Sequence, residues 1–80
     1  MHELGVLKHA LKQIENVANS NGIKTIKYIT LEVGLDSSYL PLFFEKLFPV
    51  AIEGITLFEN SKLNIETVPG RNLIIKEIGY

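Results

Sequence analysis

The sequence predicts a two-layer α+β domain, two helices packed on one face of a three-stranded mixed sheet, in the order helix, strand, helix, strand, strand. Three observations carry this. An apolar stripe with helical spacing opens the chain, an alternating stretch of strand character follows it, and two more stretches of strand character close it on either side of Pro69-Gly70. With 80 residues, 46% of them hydrophobic, the chain can build one core but not two, so residues 1–80 read as a single domain.

Leu4, Leu7, Leu11, Ile14 and Ala18 recur at intervals of three and four. That spacing places them on one side of a helix that should end before Asn19-Ser20-Asn21-Gly22, a run suited to a C-terminal cap. His2, Val6, His9 and Gln13 fall on the opposite side, so both histidines look toward solvent or a partner. Over residues 26–33 the pattern alternates, with Ile29, Leu31 and Val33 on one face and Tyr28, Thr30 and Glu32 on the other, until Gly34 ends it. Asp36-Ser37-Ser38 offers capping oxygens, but Pro41 suits a first helical turn and makes Ser38 or Leu40 the better cap for the second helix. Phe44, Leu47, Phe48 and Ala51 continue that helix, and Pro49 inside the pattern predicts a kink or a break. Residues 55–61 are less regular. The strands 62–68 and 72–78 follow, with Leu63 and Ile65 pointing inward and Asn64 and Glu66 outward. The short link at Pro69-Gly70 predicts that these two strands form an antiparallel hairpin.

Composition narrows the function classes. Eight basic residues against nine acidic ones leave a formal charge of −1, which gives no electrostatic footprint for nucleic acid. No run has the length and apolarity of a membrane span, and the first residues lack the pattern of a secretory signal, so a cytoplasmic protein is expected. There is no cysteine, hence no disulfide and no thiolate metal site. No Ser-His-Asp or Cys-His arrangement, phosphate-binding loop or convincing carboxylate pair is present, and no enzymatic activity is expected.

The first residues carry the chemistry. A histidine directly after Met1 lets one metal ion meet the terminal amine, the following backbone nitrogens and the imidazole in small chelate rings. Nitrogen ligands in a plane suit Ni(II) or Cu(II). Methionine is expected to persist, because a bulky second residue opposes its removal. Terminal amines and imidazoles compete only modestly with a divalent ion for their protons near neutral pH, and binding should weaken on acidification. The plain alternative is that His2 is an exposed residue at a helix start.

Met1-His2-Glu3-Leu4 leading into an amphipathic helix is followed by Thr30-Leu31-Glu32-Val33-Gly34, by Pro41 opening a Phe-rich helix toward Gly54, by Leu63-Asn64-Ile65-Glu66-Thr67-Val68-Pro69, and by the closing strand from Gly70-Arg71-Asn72 to Ile78. In this order and spacing the chain resembles the HypA family, which delivers nickel during maturation of [NiFe] hydrogenase and, in some bacteria, urease. The resemblance covers essentially the whole chain. It implies a nickel metallochaperone in which Met1, His2 and Glu3 hold Ni(II), the last through its backbone nitrogen with its side chain as an outer partner. It also implies a HypB-like GTPase and a hydrogenase precursor as partners. The departure is the family's zinc-binding segment with two Cys-x-x-Cys pairs, which would fall near residues 69–70 and is missing here, so no zinc is expected.

Weaker signals have plain readings beside them. His9 lies seven residues after His2, about 10.5 Å along a helix and too far to share its ion, so it reads as a solvated histidine. Glu3 also suits the positive end of a helix dipole. Glu32 and Asp36 flank the first strand's end, where acids usually cap or solvate. Tyr28 and Tyr80 read as sheet packing. The competing functional reading is an interaction module of the same fold that docks a maturation partner through the helix face bearing Val6, His9 and Gln13, or through the exposed sheet face, and has lost metal delivery. A strained link at 69–70, with apolar residues on both faces of Leu73-Ile74-Ile75, would also permit a homodimer by strand exchange.

Overall fold

A computed structural model describes residues 2–80. Helix α1 (Glu3–Ser20) is followed by strand β1 (Tyr28–Gly34), helix α2 (Pro41–Ala51), a single 3-10 turn (Thr56–Phe58), and strands β2 (Lys62–Val68) and β3 (Leu73–Gly79). The predicted class and order therefore hold. The α1 stripe is buried at Leu7, Leu11, Ile14 and Ala18, and it meets Phe44, Phe48 and Ala51 of α2 over the inward side chains Ile29, Leu31 and Val33 of β1. The helix runs past Asn19, because the Ile23 N–H reaches back to the Ala18 carbonyl at 2.9 Å and the Gly22 N–H to Asn19 at 3.4 Å, with Gly22 at φ 68. This pair of reversed bonds needs the carbonyls of the last turn and so keeps Asn19 and Ser20 helical. Helix α2 does not break at Pro49. The proline stands in its last turn, where one lost ladder bond matters little, and the Ile52 N–H still reaches Phe48 at 3.1 Å. The irregular segment supplies core that periodicity did not reveal: Leu57 and Phe58 are buried, and the Leu57 carbonyl accepts the Ile26 N–H at 2.9 Å.

The expected hairpin between the last two strands is corrected by the sheet order, which is β2-β1-β3. Strand β1 lies between them, parallel to β2 and antiparallel to β3, with a register shift at Thr30/Leu31. The reason is burial. β1 is the most enclosed strand, with even Thr30 on its outer face almost inaccessible, and a central place satisfies both of its edges. Residues 69–72 must then cross the end of β1. Two strand spacings are about 9.6 Å, within the roughly 13 Å that such a link can span. The crossing is close: a Cβ placed on Gly34 would come 2.3 Å from the Gly70 carbonyl oxygen, so only glycine fits beneath the link. The backbone seals it, with the N–H groups of Gly34, Leu35 and Asp36 donating to the carbonyls of Asn72, Val68 and Gly70, each at 2.8 Å.

Helix α2 begins at a residue that cannot cap it. Leu40 is its N-cap and makes no side-chain cap bond, and Pro41 follows at the first helical position. The Leu40 N–H is met instead by the carboxylate of Glu3, Oε2 at 3.2 Å, a partner 37 residues away in the first turn of α1. In a capping box this role falls to a Glu three residues into the same helix, a position held here by Phe43. Glu3 is only 2% exposed, so one carboxylate sits at the positive ends of both helices. The N-terminal ammonium first, then the N–H groups of Glu3 itself and of Leu40, hold its carboxyl below the usual range, against desolvation that pushes it up.

Two outcomes are expected. Gly34→Ala forces the link off the end of β1 and lowers the stability measured by urea denaturation by about 1–3 kcal/mol, as overpacking does; an unchanged midpoint would contradict the crossing. Because the folded Glu3 carboxyl is depressed, its contribution is present above the unfolded carboxylate value and is lost as the pH falls through the folded one. Glu3→Gln is therefore expected to lower the melting temperature by several degrees at neutral pH, and the difference from the parent should shrink on acidification through that window.

Candidate functional site

The candidate site is built on the start of α1. His2 is the N-cap, at φ −116 and ψ 17, and its carbonyl accepts the first helical bond, from the Val6 N–H at 3.0 Å. The preceding N–H groups have no place in the helical ladder. The nitrogens of His2 and Glu3 can therefore bind elsewhere without unwinding α1. The His2 side chain makes no cap bond and is exposed, which leaves the imidazole open to a ligand. Met1, the third residue expected at the site, lies outside the described residues. Glu3 is the fixed point. Its side chain turns inward to Leu40 while its backbone stays in the first turn, so the helix start is pinned from below and open from above.

The other acids and the second histidine do not converge here. Glu32 lies on the sheet face away from the helices, in register between Glu66 of β2 and Ile74 of β3. That face also holds the ion pair of Lys76 with Glu66 at 2.9 Å, which raises the lysine's pKa. Asp36 is exposed in the turn after β1. His9 is exposed on α1 with its Nε2 3.4 Å from the Gln13 Nε2. Among the described residues, no three His, Cys, Asp or Glu side chains come together as a metal-binding group. Val6, His9 and Gln13, named above as a docking face, border a groove of about 520 Å³ whose far wall is Tyr39, Leu73 and Ile75.

The sequence reading assigned Glu3 to the helix dipole and to a metal's outer shell, and missed its burial and its bond to α2. A signal was present. Leu40-Pro41 opens a helix without any side-chain oxygen at the cap and without an acid three residues on, so the Leu40 N–H has no local side-chain acceptor, although nothing in the sequence points to Glu3 as the distant one.

Comparison with known proteins places the chain in a family. Residues 1–73 match the model of the family described as hydrogenase/urease nickel incorporation, metallochaperone, HypA. The hydrogenase maturation factor HypA of Moorella thermoacetica is 45% identical over 71 residues, covering 89% of this chain and 62% of that protein. Its counterpart from Trichodesmium erythraeum is 36% identical over 70 residues, covering 88% of this chain and 58% of that protein. The chain thus spans less than two thirds of these relatives. The solution structure of the Ni metallochaperone HypA from Helicobacter pylori matches the fold with a TM-score of 0.77 at 18% identity, covering 96% of this chain and 72% of that one. Taken with the helix start that these residues build, the match over residues 1–73 establishes that the chain belongs to the HypA family.

Proposed function

We propose that this domain carries nickel for the maturation of [NiFe] hydrogenase, holding Ni(II) at its N-terminus through the Met1 amine, the backbone nitrogens of His2 and Glu3, and the His2 imidazole. The observation that carries the reading is the helix start, where an exposed imidazole takes no part in capping and stands beside backbone nitrogens that the helix does not use. Charge supports it. A divalent ion at the positive end of a helix would be repelled, but two backbone nitrogens that lose their protons on binding cancel its charge. The site then places no net cation there. Ligation by the terminal amine and the Glu3 nitrogen withdraws the ammonium and the N–H that the Glu3 carboxylate accepts from, and the bond from Leu40 remains to hold the side chain.

An exposed terminal site also suits transfer. The ion can be exchanged ligand by ligand with a receiving protein, which a closed cage would impede. The name hydrogenase maturation factor borne by the relatives supports a hydrogenase precursor as recipient, and membership of the family suggests a HypB-like GTPase as partner, working in the cytoplasm. Among the described residues no helix is long and apolar enough to cross a membrane. The role is that of a carrier rather than a catalyst. Nothing in the 80 residues supplies thiolates for zinc. Cu(II) precedes nickel in intrinsic affinity, so selectivity rests on metal supply and partner choice.

Calorimetric titration of the untagged protein with nickel, with optical spectra in parallel, is expected to give one-to-one binding and a yellow planar Ni(II) band. His2→Ala and N-terminal acetylation should each abolish both. Equal binding by the parent and these forms would overturn the site.

A further inference from the structure

Backbone hydrogen bonds hold the segment joining β1 to α2 at its beginning, in its middle and at its end. At its beginning, Gly34, Leu35 and Asp36 donate to the carbonyls of Asn72, Val68 and Gly70 in and beside the link between β2 and β3. In its middle, the Ser37 N–H reaches the Gly34 carbonyl at 3.0 Å and the Tyr39 N–H reaches the Ser37 Oγ at 3.3 Å. Its end is the Leu40 N–H on the Glu3 carboxylate. Ser38 holds φ 68, a conformation that residues with a side chain rarely adopt, and it is held between donors on either side. The Tyr39 ring packs against Phe44 with centroids 5.8 Å apart, which keeps the arm on the first turn of α2. Apolar packing holds the arm at Tyr39 alone, since Leu35 is 68% exposed and Leu40 52%. Hydrogen bonds at its two ends, with the Tyr39 ring on Phe44, determine where this arm lies.

We infer that residues 34–40 form a coupling arm through which the β2–β3 link sets the position of Glu3, and with it the geometry of the N-terminal metal site. The physical argument is contiguity. The link carbonyls hold one end of the arm, and the carboxylate adjoining the proposed ligands is held by the other. A change in the link's path moves the acceptors at residues 68, 70 and 72 together. The arm, exposed at Leu35 and Leu40, follows by pivoting about the Tyr39 ring on Phe44 and reorients the Leu40 N–H. Glu3 is thus a positioning residue for the site, and Gly34 and Gly70 determine where the arm begins. The metal half of this inference rests on the nickel reading above; the arm itself does not.

Gly70→Ala is the suited perturbation. Gly70 adopts φ 108, and an added Cβ there meets open space, so the substitution bends the link without a clash. A second variant lengthens the link by Gly-Ser after Gly70, a change that loops tolerate well. In each variant that keeps the parent's far-UV spectrum, amide exchange and the chemical shift of the Leu40 N–H are recorded against the Ile14 N–H of α1, which reports global opening. Nickel affinity is measured in the same proteins and again with Glu3→Ala, which removes the acceptor of the Leu40 N–H. The expected result is a shifted, faster-exchanging Leu40 amide beside an unchanged Ile14, and a nickel affinity weakened on the order of two- to thirty-fold. That weakening should vanish in the Glu3→Ala background. A folded variant whose Leu40 amide is unchanged overturns the arm. A moved Leu40 amide with equal loss of affinity in both backgrounds overturns the coupling to the metal. A parent that binds no nickel overturns the functional reading, while the Leu40 result still decides the arm.

Discussion

A central strand whose two neighbours are joined by only residues 69–72 is the constraint from which the rest of this structure follows. The link has to pass over the end of β1, and it can do so only where no side chain rises from the backbone, at Gly34. Crossing there, it brings three carbonyls within reach of the N–H groups that emerge from β1. The turn after the strand is therefore shaped by the link above it rather than by its own residues. This explains how exposed leucines can sit in an ordered segment, and why α2 starts at a leucine and a proline with its cap supplied from elsewhere.

Glu3 closes the circuit. A carboxylate in the first turn of α1 would ordinarily face water, where its interaction with the helix dipole is modest. Here it is buried against the start of α2, and the ends of both helices share it. The functional consequence is a division of labour within consecutive residues. Glu3 points inward and fixes the helix start, and His2 points outward and stays available. The proposed carrier role would need both properties, a site ordered enough to impose a plane of nitrogens and open enough to give the ion away. Anchoring by a side chain that is not itself a ligand separates the two demands.

Much of this could be read from the residues, and the rest could not for definite reasons. Periodicities of 3.6 and 2 identified both helices and all three strands, because Leu7, Leu11 and Ile14 in one case and Ile29, Leu31 and Val33 in the other report a single buried face. Strand order was not legible from the link. Pro69-Gly70 is a local turn signal, whereas the placement of β1 between β2 and β3 is decided by the burial of β1 as a whole. Phe58 was passed over because a single 3-10 turn has too few residues to show a period. At the site, the exposure of His2 followed from its place opposite the apolar stripe. The burial of Glu3 did not, since it depends on a partner 37 residues along the chain.

The central claim is that a helix start, not a cluster of side chains, holds the ion. X-ray absorption spectroscopy of the nickel-loaded, untagged protein tests this most directly. The account predicts a planar environment of nitrogen donors with a single imidazole; six-coordinate nickel with oxygen donors, or with more than one imidazole, would contradict it.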